Sequence, residues 1–510
     1  RLWLINWVRG YKDGASTKKD WLLGAIDHSM SALQTPPSRP DWYYGTAISR
    51  AERKSFKAFI EANKTRRSVM YIGARDGMLH AFDAGQYVHP DPDYPDQCPN
   101  KGENGENDRG CFLNEDYGTG DELWAIIPAN LIPRLKNNVL QGDDQAYVDA
   151  SPALADVYTD GQWRTLLLSA QGNGGDTIFC LDVTDPYDPK FMWEFADPDL
   201  FRSRSSPSVG KIGRILVNGQ PVWVAFFVSG KTYDAALYPS IYMINVADGS
   251  VVKRVILDAD AIGVGGVPSG QPSIVDSDGN GYIDRLYIGT NKGFLYKVNI
   301  PDDPDTVKYG FSNCVVNRDY TDTNEPANSV AVDQRYHPIY GTPVVLVDNG
   351  VDEHGAITYD IKILFGTGDS PYYDEDIDMG NTRYHFFAYR DQSRKGECDD
   401  SKVFLDWFLE LPEGHRIFSS AFASAGKVYF GTATSETEDP CEGPSTENLT
   451  SLGDIYILDL ATGTETGKLN VGNTVITPIV YDEHLYVKGS SAKVQSFGSG
   501  QYDNEVLKGG

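Results

Sequence analysis

A hairpin pattern that recurs along the chain limits its fold more than any other feature. The two clearest copies, residues 69–83 and 286–298, each contain an apolar strand ending in glycine, a polar turn and a returning strand. Looser copies occupy residues 166–182, 222–249, 361–390, 428–463 and 485–494. Alternating apolar strands joined by short polar turns are typical of antiparallel β-hairpins. The chain is therefore predicted to be all-β.

A second motif precedes most of these hairpins and sets the repeat. It is a small residue, often followed by proline, and then a short apolar strand, at residues 151–154, 206–209, 271–274, 342–345 and 477–480. Weaker copies at residues 28–31 and 419–422 bring the count to seven. A multi-strand unit that repeats in this way is typical of a β-propeller. We therefore expect a seven-bladed β-propeller with long loop insertions and a few short helices.

The predicted domain organisation is a single domain over residues 1–510. Residues 1–68 form an N-terminal extension with the first propeller strand, expected near residues 22–30, and a short helix, expected over residues 55–67. Residues 69–510 form the remainder of the propeller. Polar insertions at residues 87–121, 368–383 and 433–453 are expected on a face of the ring, where function usually lies.

The charge of the chain restricts its partners. Its 72 acidic and 45 basic residues give a net charge of -27. This disfavours nucleic acid and anionic membrane surfaces as non-specific partners. No apolar run is long enough to cross a bilayer, so no transmembrane segment is predicted. The chain starts at Arg1 without a signal-like segment, which indicates a fragment or the mature part of a longer protein.

The six cysteines indicate an oxidising compartment outside the cytoplasm. No Cys-x-x-Cys pair occurs, which argues against zinc. Cys98 and Cys111 bracket a polar loop and are predicted to form a disulfide. Cys180 lies inside an apolar strand and is predicted to be a buried free thiol. The sequence does not pair the remaining three, Cys314, Cys398 and Cys441.

Residues 276–284 carry the spacing of a calcium loop. Asp276, Asp278, Asn280 and Asp284 place side-chain oxygens at relative positions 1, 3, 5 and 9, with a glycine at position 6. The backbone carbonyl of Tyr282, at position 7, is the fifth predicted ligand. A flexible shell of oxygen ligands suits Ca²⁺ better than Mg²⁺. The alternative is a polar hairpin turn without a metal, since Asp, Asn and Gly are common turn residues.

The end of this loop differs from an EF-hand. Position 12, where an EF-hand has a bidentate glutamate, is Tyr287, and the residues after Asp284 alternate as in a strand. We therefore expect Asp284 to close the loop within a β-hairpin. Without the glutamate, we expect a calcium dissociation constant of roughly 10⁻⁶ to 10⁻³ M.

Several segments resemble PilY-type type IV pilus biogenesis proteins. They are the hairpin at residues 71–83 (Tyr-Ile-Gly-Ala-Arg-Asp-Gly-Met-Leu-His-Ala-Phe-Asp), residues 6–10 (Asn-Trp-Val-Arg-Gly), residues 27–29 (Asp-His-Ser) and the calcium loop. The resemblance covers essentially the whole chain as the family's C-terminal propeller domain. It implies a calcium-binding protein outside the cytoplasm, at the cell surface, pilus tip or outer membrane.

The same resemblance implies a function and partners. Members of the family support pilus extension by antagonising retraction, and take part in twitching motility, surface adhesion and virulence. Calcium is implied to regulate the balance of extension and retraction. The implied partners are pilins or the pilus assembly machinery, with host-surface ligands as a further class.

Two rival interpretations remain open at this stage. The repeats also resemble quinoprotein dehydrogenases, for example at residues 458–463 (Leu-Asp-Leu-Ala-Thr-Gly). However, the tryptophan that usually follows is missing there, no vicinal Cys-Cys pair occurs, and that family has eight blades. No catalytic residue is predicted, and His80 is expected to be packed or hydrogen-bonded. The second rival is a propeller scaffold that binds a protein or glycan, with calcium in a structural role.

Overall fold

A computed structural model describes most of the chain. The described residues are 2–12, 17–20, 22–26, 29–89, 110–141, 146–197, 200, 211–229, 239–257, 268–290, 293–301, 312–317, 338–368, 384–397, 399–434, 453–472, 474, 477–481, 484–488 and 494–498. The chain divides into two compact units, Arg1–Ile256 with Gly279–Tyr282, and Leu257–Asp278 with Ile283–Gly510. Among the described residues, no helix combines the length and apolar character that crossing a bilayer requires.

In its described residues, the first unit contains three α-helices and three larger antiparallel sheets. The helices are α1 (Leu2–Val8), α2 (Arg50–Asn63) and α3 (Leu135–Gln141). A small hairpin of β1 (Tyr11–Lys12) and β2 (Thr17–Lys18) follows α1. The first sheet comprises β3 (Ala32–Gln34), β4 (Val69–Gly73), β5 (Leu79–Asp83) and β8 (Glu122–Ile126), with the hairpin β6 (Tyr87–Val88) and β7 (Cys111–Phe112) between its last two strands. The second comprises β9 (Ala153–Thr159), β10 (Gln162–Ala170), β11 (Thr177–Asp182) and β12 (Lys190–Ala196), and the third β13 (Lys211–Val217), β14 (Gln220–Val228), β15 (Ser240–Asn245) and β16 (Val251–Ile256).

The second unit repeats this arrangement. Its sheets are β17 (Ser273–Val275), β18 (Arg285–Gly289), β19 (Leu295–Asn299) and β20 (Ser312–Asn317); then β21 (Val344–Val347), β24 (Ile361–Gly366), β25 (His385–Asp391) and β26 (Val403–Glu410), with a hairpin of β22 (Gly350–Val351) and β23 (Ile357–Thr358). A sixth sheet follows with β27 (Phe422–Ser424), β28 (Lys427–Gly431), β29 (Asp454–Asp459) and β30 (Glu465–Asn470), and a seventh with β31 (Ile479–Tyr481), β32 (His484–Lys488) and β33 (Val494–Gly498).

The all-β prediction is therefore confirmed, with few helices. Across the described residues there are seven sheets of three or four consecutive strands, and each is the meander that forms a propeller blade. The predicted hairpins correspond closely to observed strand pairs, such as β4 with β5 and β18 with β19. Closure into a seven-bladed ring stays a prediction.

The predicted strand at residues 22–30 is wrong for the described part of that segment. Its backbone makes hydrogen bonds to side chains and to a turn at residue 75, and not to a neighbouring strand. The amide of Gly24 donates to Asp76 Oδ2 at 2.8 Å, and the carbonyl of Ala25 accepts from the amide of Arg75 at 2.9 Å. The amide of Met30 donates to Ser151 Oγ at 3.0 Å. The first sheet strand begins just after this segment, at β3.

The predicted helix over residues 55–67 is real but begins earlier. Ser49 is its N-cap, and the Ser49 hydroxyl accepts a hydrogen bond from the amide of Glu52 at 3.1 Å. The spacing of Ser49 and Glu52 is that of a capping box. Helix α2 buries Phe56 and Phe59 in the core of the first unit, where Phe56 packs on Trp163 with ring centroids 4.5 Å apart.

A tryptophan on the fourth strand links three of the sheets to the next sheet along the chain. The indole Nε1 atoms of Trp124, Trp193 and Trp407 donate to the carbonyls of Pro186, Val246 and Leu460, at 2.8, 2.8 and 3.1 Å. Each acceptor follows the third strand of the next sheet. The hydrogen bond gives the indole N–H a partner where the ring is buried or half-buried, so each tryptophan joins two sheets.

The turn that receives Trp407 requires glycine at residue 463. Gly463 has φ +70, and a Cβ there would lie 2.5 Å from the Trp407 ring. We expect Gly463→Ala to lower the free energy of unfolding by about 2 to 5 kcal/mol, from left-handed backbone strain and overpacking together. Urea denaturation measures this change.

The matched control is Gly467→Ala in the same sheet. Its Cβ would make an ordinary contact of 3.4 Å with Ile457, so the expected change is within about 1 kcal/mol. Equal stability of the two variants would contradict the role given to the Trp407 contact.

Candidate metal centre

The predicted calcium loop is the connection between the first two strands of the fourth sheet. Strand β17 pairs antiparallel with β18, with Val275 opposite Arg285, and the amide of Asp284 donates to the carbonyl of Val275 at 2.9 Å. The loop is therefore closed by strand pairing at its base. This is the β-hairpin context that the sequence predicts.

The fold brings three carboxylates of this loop together. Asp276, Asp278 and Asp284 each offer an oxygen, and these oxygens lie within 4.8 Å of one another. Asp284 is buried, and its carboxylate accepts from the Ser277 hydroxyl at 2.8 Å and from the Ser277 amide at 3.2 Å. Converging carboxylate oxygens are the ligands that calcium prefers, so these residues fit the ion.

One of the other two predicted ligands, Asn280, makes a hydrogen bond within the loop. Asn280 Oδ1 accepts a hydrogen bond from the amide of Tyr282 at 2.8 Å, which forms a tight turn. Gly279 and Gly281 on either side have φ of +69 and +97, values that favour glycine. Ligation by Asn280 and by the Tyr282 carbonyl stays a prediction.

Burial changes the acidity of the loop. Burial raises the pKa of Asp284 to about 6, although the Ser277 hydrogen bond and the charges of Lys395 and Arg285 act in the opposite direction. The nearby charge of Asp278 adds to the increase in the pKa. An added cation favours the ionised carboxylate, so proton and cation compete for Asp284.

A lysine in the connection between β25 and β26, Lys395, faces the same carboxylates. Lys395 Nζ lies 3.1 Å from Asp278 Oδ2 and 3.8 Å from Asp284 Oδ2. Lys395 carries no local sequence signal for this position, because the fold alone brings it to the loop.

A buried ionic cluster around Asp391 holds Arg285, the first residue of β18. Asp391 Oδ2 accepts from the Tyr287 hydroxyl at 2.6 Å, lies 2.8 Å from Lys297 Nζ and lies 3.3 Å from Arg285 Nη1. All four side chains are fully buried. Burial alone raises the pKa of Asp391, but Lys297 and the hydrogen bonds of Ser393 and Tyr287 hold it below its usual value.

Within the first unit, residues 45–48 hold the part of the loop that belongs to that unit. The amide of Thr46 donates to the carbonyl of Gly279 at 2.9 Å, and the amide of Ala47 donates to the carbonyl of Asn280 at 3.1 Å. A Cβ on Gly45 would lie 2.5 Å from the backbone nitrogen of Gly281. This part of the N-terminal extension therefore acts as a backbone clamp on the loop.

The side chain of Tyr282 is held by a buried arginine. Arg214 lies over the rings of Trp42, Trp223 and Tyr282, at 5.3, 5.3 and 4.8 Å from their centroids. Arg214 Nη1 also pairs with Glu52 Oε1 of helix α2 at 2.9 Å. These cation–π contacts and the ion pair fix the ring next to the predicted carbonyl ligand.

The structure also places His80 and Cys180, for which the sequence makes predictions. His80 is buried, with Nδ1 2.6 Å from Glu122 Oε1 and Nε2 3.2 Å from Asp76 Oδ1, which confirms a hydrogen-bonded role. Cys180 is a buried free thiol, as predicted. Cys98, Cys398 and Cys441 lie outside the described residues, so the Cys98–Cys111 disulfide stays a prediction.

Comparisons with known proteins identify the family. Residues 129–404 match the family described as the PilY1 beta-propeller domain. The type IV pilus biogenesis factor PilY1 of Pseudomonas aeruginosa strain PAO1 is 29% identical over 266 residues, which is 49% of this chain and 19% of that protein. A PilY1 homolog of Xylella fastidiosa is 25% identical over 527 residues, covering 92% of this chain and 32% of that protein.

A solved structure shows the same fold. The crystal structure of the Pseudomonas aeruginosa PilY1 C-terminal domain matches with a TM-score of 0.53 and 20% identity, covering 89% of this chain and 95% of that chain. The sheets and these matches define a β-propeller protein. The chain belongs to the PilY1 beta-propeller family. It spans between 19% and 32% of the length of the curated relatives it matches.

The backbone clamp can be tested at Gly45. Gly45 has φ −56, so alanine is free of backbone strain there, and the atoms nearest to its Cβ belong to Gly281 and Asn280 of the loop. We expect Gly45→Ala to weaken calcium binding by about tenfold, because overpacking at this contact shifts the loop. Calorimetric titration measures the affinity, and Gly467→Ala is the control for the added methyl group. An unchanged affinity in Gly45→Ala would show that the clamp does not position the loop.

Proton release tests the acidity of Asp284. Because its pKa is about 6, Asp284 is mostly protonated at about pH 5 and ionised at about pH 8. Calcium binding is therefore expected to strengthen as pH rises through 6, and to release close to one proton per ion at about pH 5 but almost none at about pH 8. Titrations in buffers with different ionisation enthalpies count these protons. Heats that are independent of the buffer at the lower pH would contradict the raised pKa.

Proposed function

We propose that the chain is the calcium-binding propeller of a type IV pilus biogenesis factor. In this role it supports pilus extension by antagonising retraction, and contributes to twitching motility and surface adhesion. The observation that carries the proposal is the convergence of Asp276, Asp278 and Asp284 within 4.8 Å in a member of this family. The matched relatives are named as type IV pilus biogenesis factors.

The proposed cofactor is Ca²⁺, held by the three carboxylates together with Asn280 and the carbonyl of Tyr282. When bound, the ion neutralises the mutual repulsion of the carboxylates and orders the loop. The protein supplies the rest of the site: Ser277 orients Asp284, and strand pairing closes the base of the loop. Calcium can then shift a conformational equilibrium only by its different affinity for the two states.

The proposed partners are pilins or the pilus assembly machinery, with host-surface ligands as a further class. The proposed location is outside the cytoplasm, at the cell surface, pilus tip or outer membrane. The net charge of -27 disfavours nucleic acid as a partner, and the predicted disulfide between Cys98 and Cys111 would fit the proposed oxidising compartment. No enzymatic activity is proposed.

A second candidate is a propeller scaffold for a protein or glycan partner in which calcium is only structural. The backbone clamp favours it, because the amides of Thr46 and Ala47 hold the carbonyls of Gly279 and Asn280 by hydrogen bonds of the protein itself. In that case loss of calcium lowers the stability of the protein but leaves the pilus cycle unchanged.

The test is a calorimetric titration of calcium into the metal-stripped parent chain and into the metal-stripped Asp284→Ala variant. One site with a dissociation constant of roughly 10⁻⁶ to 10⁻³ M is expected in the parent chain, and no binding in the variant. Glu353→Ala, which removes an exposed carboxylate from the same unit, is the control and should bind as the parent does.

The same substitutions in the full-length protein then separate the two candidates. For the first candidate, Asp284→Ala bacteria lose surface pili and twitching, while Glu353→Ala bacteria keep both. Normal piliation in Asp284→Ala bacteria, with the protein present at its usual level, favours the scaffold. Absence of calcium heat in the parent chain contradicts both.

A further inference from the structure

We propose that Lys395 is a built-in counter-ion of the calcium loop, which calcium must displace, so that the lysine sets the affinity of the site and is released when calcium binds. This inference rests on the proposed function, and it adds a regulatory residue to that site. Lys395 Nζ lies 3.1 Å from Asp278 Oδ2 and 3.8 Å from Asp284 Oδ2, with its side chain only 19% exposed.

Both carboxylates that face the ammonium group belong to the candidate metal centre. Asp278 and Asp284 are two of the three residues whose oxygens lie within 4.8 Å of one another. A calcium ion that takes these oxygens as ligands must sit close to the lysine nitrogen. Like charges at such a separation repel strongly in a partly buried site. The ammonium group and the ion therefore compete for the same place.

The lysine reaches the loop from a rigid support. Residues 394–397 form a turn in which the amide of Glu397 donates to the carbonyl of Arg394 at 3.0 Å, with Gly396 at φ +78. Glycine at the third position and this hydrogen bond define a tight turn, with Lys395 at its second position. The lysine is thus presented at the tip of a turn.

Both sides of the turn are anchored to the fourth sheet. The carbonyl of Ser393 accepts from Arg285 Nη2 at 2.8 Å, and the carbonyl of Glu397 accepts from Asn299 Nδ2 at 2.8 Å. These anchors do not involve Lys395, so its side chain can leave the carboxylates without unfolding the turn. Only the lysine side chain needs to move when calcium enters.

Charge balance explains why the lysine competes but does not replace the ion. Lys395 faces two of the three carboxylates, and the Arg285 guanidinium, which is shared with Asp391, lies 3.9 Å from Asp284 Oδ1. These two cationic groups stand against three carboxylates in the loop. A divalent cation carries more charge than the lysine and can bind several oxygen ligands at once. Lys395 therefore keeps the cation-free loop together and raises the calcium concentration that is needed to fill it.

The first test compares the calcium affinities of charge variants by calorimetry. Lys395→Met is expected to bind calcium about tenfold more tightly or better, because the repelling charge is gone. Lys395→Arg keeps the charge and should stay within about threefold of the parent. The control is Lys402→Met, which removes an ammonium that pairs with Glu397 at 3.1 Å and lies on the same connection. That variant should bind as the parent does.

The second test follows the lysine itself in the parent chain, and does not depend on folding of a variant. Amine labelling with mass spectrometry is carried out in chelator and in saturating calcium. Labelling of Lys395 is expected to rise at least about threefold with calcium, as the ammonium group leaves the carboxylates for water. Labelling of Lys402 should be unchanged.

The outcomes separate this inference from the calcium site itself. If the parent chain binds calcium, but Lys395→Met binds equally or more weakly and Lys395 labelling is constant, the counter-ion role is wrong while the proposed function stands. If neither the parent chain nor Lys395→Met binds calcium, the proposed function fails and the counter-ion role fails with it. Binding in Lys395→Met alone contradicts both, because calcium then does not displace the lysine in the parent chain.

Discussion

Repulsion among three carboxylates in one short loop is the constraint around which the candidate site is built. Asp276, Asp278 and Asp284 converge within 4.8 Å, and one of them is buried. Such an arrangement is costly unless positive charge or hydrogen-bond donors compensate for it. The protein supplies part of this compensation through Ser277 and Lys395, and under the proposed function a calcium ion supplies the rest.

The surroundings of the loop leave it little freedom to relax away from this arrangement. Strand β18 starts immediately after Asp284, and its first residue, Arg285, is fixed in the buried cluster around Asp391. Removing one member of such a cluster leaves an unpaired buried charge. In the first unit, the clamp of Thr46 and Ala47 acts on the loop backbone.

The sequence predicted what depends on local spacing. The hairpins of β4 with β5 and of β18 with β19 follow from strict alternation, and the three carboxylates follow from positions 1, 3 and 9 of a single loop. Helix α2 was placed five residues late, although the spacing of Ser49 and Glu52 was a usable start signal. The strand expected at residues 22–30 failed because its backbone partners, such as Asp76, lie far along the chain.

Lys395, the clamp and the tryptophan contacts were not predicted because each depends on tertiary packing. No pattern near residue 395 indicates that its ammonium faces Asp278. The direct measurement is a pair of crystal structures of this chain, grown in chelator and in calcium, with anomalous scattering to identify the ion. The account predicts one calcium ion within about 2.3 to 2.6 Å of oxygens of Asp276, Asp278 and Asp284, with Lys395 turned away. A loop without an ion in saturating calcium, and with Lys395 still paired to Asp278, would contradict it.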